Sequence, residues 1–230
     1  MHKTKPRNFV PPIFICAALL IIPRLASAEI LFTNLGFESA KIVPIPDDVY
    51  GRVQFDQAVP GWTAYIGSEP QTMILYNNMY LSSSGFALMK TNGYVYDGKY
   101  AMVLQTGLRT GQQNVSLSQT GLIPAGTQSL QFKSSGERYA SFDVGINGQA
   151  LPLVILQTFA GYDLYAADIS QFAGQTVELK FNEYMVIGYP GELSLDSIIF
   201  SPVAVPEPAS IALFGLGGIG LFLAARRRDS

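Results

Sequence analysis

The fold is decided by the stretch Ser141-Phe-Asp-Val-Gly-Ile-Asn-Gly148. Its Phe, Val and Ile side chains alternate with smaller or polar ones, which is the two-residue period of a β-strand with one buried face. The closing Asn-Gly dipeptide is a strong signal for a two-residue hairpin turn. The stretch therefore predicts an antiparallel hairpin, and residues 151–156 are expected to form the returning strand.

The same period recurs along most of the chain. Alternating runs lie at residues 130–132, 177–181 and 193–195, separated by segments rich in Gly, Pro, Asn and Asp, and no helical period persists. Residues 29–200 are enough for one domain with a full core. We expect one all-β domain over this range, an antiparallel β-sandwich of the jelly-roll type.

Residues 1–28 have the three parts of a secretory signal peptide. Basic residues come first, an apolar run follows at 9–22, and the small residues Ala26 and Ala28 precede Glu29. We expect export with cleavage between Ala28 and Glu29. An uncleaved anchor is the alternative.

Removal of this segment also removes the only histidine, His2, and the only cysteine, Cys16. The exported chain then has no disulfide and no thiolate nucleophile. Ser-His-Asp triads, histidine general bases and His- or Cys-ligated metals are excluded as well. The chemistry left to the exported chain is that of carboxylate, hydroxyl, amide, amine and aromatic side chains.

The charge balance of residues 29–208 is acidic. This range holds 8 Lys or Arg residues and 16 Asp or Glu residues, a net charge of −8. Surfaces that bind nucleic acid are usually basic, because they neutralise phosphates. We therefore expect no nucleic-acid partner.

The carboxyl-terminal segment has three parts in order: a Pro-Glu-Pro motif, a charge-free run and an arginine cluster. They are Pro206, Glu207 and Pro208; residues 209–225; and Arg226, Arg227 and Arg228. A helix over 209–225 would be about 26 Å long, close to a bilayer core of about 30 Å, and arginines favour the cytoplasmic side. We expect a linker at 201–208, a transmembrane helix at 209–225 and a basic cytoplasmic tail at 226–230. A buried helix of the domain is the alternative.

This tail closely resembles the PEP-CTERM sorting signal of Gram-negative bacteria. The matching parts are residues 205–210, the Gly- and Leu-rich run and the basic end. The resemblance implies that an exosortase, a membrane-bound processing enzyme, recognises the Pro-Glu-Pro segment and that the helix is removed. It also implies a route from an inner-membrane intermediate to the cell surface, the outer envelope or the extracellular polysaccharide matrix.

Six short segments of the domain resemble, in order, the galactose-binding-like jelly rolls, which include many carbohydrate-binding modules. The segments are residues 34–38, 59–62, 97–101, 117–126, 168–175 and 195–198. Each is short, and their order carries the resemblance. It implies a jelly-roll fold and contact with polysaccharide.

In such jelly rolls a first-strand Glu and a last-strand Asp often hold a structural calcium, helped by a backbone carbonyl. The resemblance implies this metal site at Glu38, at the main chain around Lys99, and at Asp196. Calcium takes carboxylate and carbonyl oxygens as ligands. The alternative is that Glu38 and Asp196 are ordinary strand-end carboxylates. No other cofactor is expected.

Aromatic residues gather in the first half of the domain, and flat rings can stack on sugar rings. The candidate glycan-binding residues are Trp62, Tyr65, Tyr94 and Tyr96. The alternative for Trp62, which we favour, is a core anchor after the Pro-Gly turn. The alternative for the tyrosines is ordinary packing on a sheet face.

We expect an exported, non-catalytic protein that contacts polysaccharide. One alternative is a structural surface or matrix protein without a specific ligand. Another is a glycan-active enzyme with paired carboxylates, for which the pairs to consider are Glu178 with Glu183 and Asp163 with Asp168.

Overall fold

The computed structural model describes residues 29–79, 84–90, 93–107, 113–135, 141–186 and 191–206. The signal peptide at 1–28 and everything after Pro206 lie outside the described residues. Within the described ranges no helix is long and apolar enough to cross a bilayer.

The described ranges form short strands with two single helical turns. In chain order they are β1 (Arg52–Gln54), α1 (Phe55–Ala58), β2 (Thr63–Ile66), β3 (Glu69–Pro70), β4 (Met73–Tyr76), β5 (Phe86–Met89), β6 (Ala101–Thr106), β7 (Val115–Leu122), β8 (Ser129–Ser134), β9 (Ser141–Ile146), β10 (Gln149–Ala150), β11 (Val154–Phe159), β12 (Tyr162–Asp168), a 3-10 turn (Ser170–Phe172), β13 (Thr176–Tyr184) and β14 (Gly191–Ser201).

The strands form two sheets. The larger sheet has the order β1-β4-β5-β6-β14-β8-β12-β11, and the smaller has the order β10-β9-β13-β7-β2-β3. All the strand pairs are antiparallel except β4 with β5. From β6 to β9, and again from β13 to β14, the chain crosses between the sheets at each connection. The predicted all-β sandwich of the jelly-roll type is confirmed.

The core lies between the two sheets and is centred on β13. Val177, Leu179 and Phe181 are buried, while the residues between them are partly exposed. Phe181 packs against Trp62 at 6.2 Å and against Phe132 of the other sheet at 5.3 Å between ring centroids. The alternation predicted for this strand is therefore the alternation between core and surface.

The predicted hairpin turn is present, but the predicted returning strand is wrong. Asn147 and Gly148 both have positive φ, 50° and 78°, as a type I′ turn requires. The returning strand is only β10, because Leu151 turns into the core and Pro152 has no N–H to extend the ladder. Residues 154–159 instead form β11 at the edge of the other sheet.

A carboxylic acid lies inside the core at the end of β13. Glu183 is fully buried; its Oε1 accepts a hydrogen bond from Thr106 Oγ1 at 3.3 Å, and its Oε2 has no partner. Burial raises the pKa of Glu183 to about 8, helped by the nearby charge of Glu192. The group is therefore neutral in the folded domain at neutral pH and ionised in the unfolded chain.

Replacing this acid by Glu183→Gln should remove a pH dependence of stability. The unfolded chain loses the proton near the ordinary pKa of 4.5 and the folded chain near 8. Stability is therefore lost as pH rises between these values, by up to about 1.4 kcal/mol per pH unit. Denaturant unfolding from pH 5 to 9 should show a gain for Glu183→Gln that grows with pH and levels off above about 8.

The matched control is Glu178→Gln, on the same strand but on its partly exposed face. Its stability difference from the wild type should change little over this range. A parallel pH profile for Glu183→Gln and the wild type would contradict the buried, neutral acid.

Candidate functional site

Trp62 belongs to the core, so a glycan-stacking role for it is wrong. Its side chain is 5% exposed and lies between Phe37 and Phe181, with ring centroids at 5.8 and 6.2 Å. The indole N–H donates to the carbonyl of Asn34 at 3.1 Å. The indole ring and its N–H therefore make their contacts inside the domain, as expected if Trp62 is a core residue.

Tyr94 and Tyr96 lie on the outer face of the larger sheet. Tyr94 packs on a small apolar cluster that includes Leu75 and Val103. Tyr96 stacks on Tyr162 at 4.6 Å, Tyr162 stacks on Phe159 at 4.7 Å, and the hydroxyl of Tyr96 is hydrogen-bonded to Ser194. Stacking on Tyr162 therefore occupies one face of the Tyr96 ring, and Tyr94 packs against the apolar cluster.

Tyr65 lies apart from them, on the outer face of the smaller sheet. Cross-strand pairing places Tyr65, Ser116, Asn182 and Asp143 in one row across β2, β7, β13 and β9. At a strand spacing of about 4.8 Å this row spans about 14 Å. The predicted aromatic residues therefore form no single site, because the sandwich separates them on opposite outer faces.

An open groove of about 410 Å³ lies on this face of the smaller sheet. Its lining residues are Gly67, Gln113, Asn114, Val115, Ser116, Lys180, Asn182 and Tyr184. The Lys180 Nζ lies 5.7 Å from the centroid of the Tyr65 ring, so a cation and an aromatic ring meet at its edge. The lining offers amide, hydroxyl and ammonium groups, which are the groups that bind hydroxyl-rich ligands.

Three side chains that line the groove, Asn114, Asn182 and Tyr184, are held in place before any ligand arrives. Asp143 accepts a hydrogen bond from Asn182 Nδ2 at 2.6 Å and another from the Tyr184 hydroxyl at 2.7 Å. The bond to Asp143 raises the pKa of Tyr184 to about 12, so its hydroxyl stays protonated. Asn114 Oδ1 accepts the backbone N–H of Met185 at 3.0 Å. Such fixed partners reduce the entropy lost on binding.

Sequence reasoning missed the polar wall of this groove. The signal was present in the alternation of β13, whose outward positions carry Glu178, Lys180, Asn182 and Tyr184. The aromatic residues in the first half of the chain are a stronger local signal than these polar positions. Asp143 had no sequence signal, since only the pairing of β9 with β13 places it opposite Asn182.

Glu38 and Asp196 both bind the turn at residues 96–100, but through its N–H groups. Glu38 Oε1 accepts from Lys99 and Tyr100 at 2.8 and 3.0 Å. Asp196 Oδ2 accepts from Tyr96 and Asp97 at 2.8 and 2.9 Å. Burial raises the pKa of Asp196, and these N–H groups oppose that effect.

In this arrangement both carboxylates of the expected calcium site already accept backbone N–H groups. Calcium takes about six to eight oxygen ligands, whereas one oxygen of each carboxylate already faces two N–H donors. Among the described residues no group of three or more carboxylates, histidines or cysteines is placed to hold a metal. The calcium expectation stays a prediction, and here the two carboxylates fasten a turn.

Neither carboxylate pair considered for an enzyme shares a face of its strand. Glu178 and Glu183 are five positions apart on β13, so they point to opposite sides. The same spacing separates Asp163 and Asp168 on β12. Two carboxylates that flank one glycosidic bond need a common cleft, and these strands do not provide one.

The tail matches a known family model. Residues 204–228 match the PEP-CTERM protein-sorting motif. The sorting-signal prediction is confirmed, and the motif implies exosortase-dependent export through the membrane of a Gram-negative bacterium. Of the residues predicted for sorting and cleavage, Glu29 and Pro206 are described; Ala26, Ala28, Glu207, Pro208 and Arg226 to Arg228 lie outside the described residues.

Three solved structures resemble the sandwich, each at 13% identity. TmCBM61 in complex with β-1,4-galactotriose has a TM-score of 0.45, with 74% of this chain and 97% of that chain covered. CBM28, a carbohydrate-binding module specific for non-crystalline cellulose, has 0.36, with 70% and 94% covered. The enzymatically active domain of tailspike protein 4 of bacteriophage CBA120 has 0.37, with 61% and 19% covered. No curated protein matches the chain. These likenesses concern the fold and carry no argument about a ligand.

The turn at residues 96–100 should depend on Asp196 as a hydrogen-bond acceptor. Asp196→Ala leaves the N–H groups of Tyr96 and Asp97 without a partner and should cost about 3 kcal/mol of unfolding free energy. Asp196→Asn keeps one acceptor oxygen and removes a buried charge, so it should cost less than half as much. Denaturant unfolding of both variants measures this difference.

Thermal unfolding tests whether the turn binds calcium. With both carboxylates occupied by N–H donors, melting in calcium and melting in a chelator should give the same Tm. A Tm that rises by several degrees with calcium, and only when Glu38 and Asp196 are intact, would establish the metal site and contradict the arrangement described above.

Proposed function

We propose that this chain is a non-catalytic exported protein that contacts polysaccharide through the groove beside Tyr65. One observation carries the proposal: a groove of about 410 Å³ lined by amide, hydroxyl and ammonium groups, with an aromatic ring at its edge. Hydrogen-bonding side chains and a flat ring are the two parts that a sugar-binding surface requires.

The proposed destination is the cell surface or the extracellular polysaccharide matrix. The sorting motif supports an exosortase as the processing partner and the inner membrane as an intermediate station. The net charge of −8 over residues 29–208 keeps the exported form soluble among acidic polymers. A structural matrix protein without a ligand is the outcome if no polysaccharide binds.

Polysaccharide binding should depend on the Tyr65 ring and the Lys180 ammonium group at the edge of the groove. The variant Tyr65→Ala/Lys180→Met removes the ring and the ammonium group but leaves the core side of both strands intact. We expect the dissociation constant for the producing bacterium's extracellular polysaccharide to rise about tenfold or more, which is about 1.4 kcal/mol. Retention of the exported form on the immobilised polymer measures it.

The matched control is Tyr50→Ala/Lys90→Met, which removes the same two side-chain types from exposed positions away from the groove. Its binding should equal that of the wild type. Equal loss in both double variants, or no binding by the wild type to neutral and uronic-acid polymers alike, would contradict the groove as a glycan site.

Removal of the carboxyl-terminal tail should depend on the Pro-Glu-Pro motif. The exported form of the wild type should have an intact mass that lacks residues 1–28 and the tail beyond the Pro-Glu-Pro segment. Replacing Pro206, Glu207 and Pro208 by alanine should leave the full tail in the membrane fraction. Pro202→Ala is the control, since it changes an exposed proline of the same linker and should be processed normally.

A further inference from the structure

The chain enters and leaves the sandwich at the same end. The backbone carbonyl of Ile30 accepts the N–H of Leu122 at 2.7 Å, and that of Leu35 accepts the N–H of Ile198 at 3.1 Å. The rings of Phe32 and Phe200 are 4.9 Å apart. The two predicted membrane segments, in the signal peptide and in the tail, therefore leave the domain from one side.

The link between the domain and the tail is short. Within the part of the chain that is described, the last main-chain group held by the domain is the carbonyl of Val203, which accepts a hydrogen bond from Ser129 Oγ at 2.7 Å. Five residues, 204–208, separate it from the predicted helix at 209–225. They reach at most about 18 Å, close to the radius of gyration of about 15 Å expected for such a domain. While the tail is in the membrane, this end of the domain must face the bilayer.

Four segments at the end that faces the bilayer carry no charge, although the acidic residues Glu29 and Asp168 lie next to them in the sequence. They are residues 30–37, 121–130, 169–177 and 197–206, none of which is Asp, Glu, Lys or Arg. Backbone hydrogen bonds join the second segment to the third and to the fourth. We name these four segments the charge-free end. In a domain with a net charge of −8, these segments add no repulsion of their own toward anionic lipid.

The charge-free end also exposes apolar side chains. Ile30, Leu31 and Val203 are 62%, 60% and 64% exposed. Side chains of this type gain free energy at the boundary between lipid headgroups and acyl chains. The groove lies toward the opposite end of the smaller sheet, since it lines the start of β7 and the end of β13.

We propose that the charge-free end rests on the lipid surface before the tail is removed. Ile30, Leu31 and Val203 contact the headgroup region, and the groove points away from the membrane. The orientation rests on the tail as a membrane anchor and is independent of whether the groove binds polysaccharide.

The test uses the full chain in vesicles of phosphatidylethanolamine and phosphatidylglycerol, with a Cys16→Ala background that leaves no other thiol. A fluorophore is attached at Ala125→Cys, in the charge-free end, or at Ser68→Cys, beside the groove. Flotation with the vesicles that is lost when residues 209–225 are deleted first establishes that the tail anchors the chain. Lipids with a nitroxide on the headgroup should then quench most of the fluorescence at position 125 and little at position 68.

Two double variants distinguish loss of the membrane contact from a general effect of added negative charge. Ile30→Glu/Leu31→Glu adds two carboxylates to exposed positions of the charge-free end and should abolish the quenching at position 125. Ser68→Glu/Gln157→Glu adds the same charge at exposed positions elsewhere and should leave the quenching unchanged. Circular dichroism establishes that both variants are folded.

Three outcomes would overturn the proposal. Equal quenching at positions 125 and 68 in floated chains would show no preferred orientation. Position 125 unquenched but cross-linked between copies would make the charge-free end a contact between two chains. Failure to float would remove the anchor itself, while binding of the exported form to polysaccharide could still be measured separately.

Discussion

The two-residue period of β13 is the constraint on which the rest of the structure depends. Because successive side chains of a strand point to opposite faces, Val177, Leu179 and Phe181 enter the core while Lys180 and Asn182 line the groove. One hydrogen-bonded ladder with β7 and β9 positions both sets. A slip of one residue would bury the groove residues and expose the core, so the register of this strand protects both.

Carboxylates illustrate how local partners decide the role of one chemical group. Glu183 has a single hydroxyl partner in the core, and burial dominates its pKa. Asp196 is as deeply buried but accepts two backbone N–H groups, and it fastens a turn. Asp143 lies on the outer face and fixes the groove through Asn182 and Tyr184. The same carboxyl group is therefore a buried neutral acid at one position, a hydrogen-bond acceptor for a turn at another, and an acceptor that orients groove side chains at a third.

Much of the fold could be predicted from the sequence, because strand alternation and the Asn147-Gly148 turn are local signals. The location of Trp62 in the core also followed from its place after a Pro-Gly turn. The groove could not be predicted in the same way. It needs Tyr65, Ser116, Asn182 and Asp143 in one row, and cross-strand register between distant segments is not a local property. The role of Glu38 at this turn was not predictable either, because its acceptor contacts with the N–H groups of Lys99 and Tyr100 depend on the turn's orientation.

The contact between the first and last segments affects the order of folding. Leu35 is hydrogen-bonded to Ile198, and Phe32 packs on Phe200. In each pair the two residues are separated by almost the whole length of the domain sequence. A polypeptide translocated amino end first keeps its opening segment without these contacts until β14 has emerged, and contacts of such long sequence separation form slowly. Completion of the sandwich and emergence of the motif at 204–228 then fall within a few residues of each other. The motif therefore emerges only when the chain of the sandwich is complete.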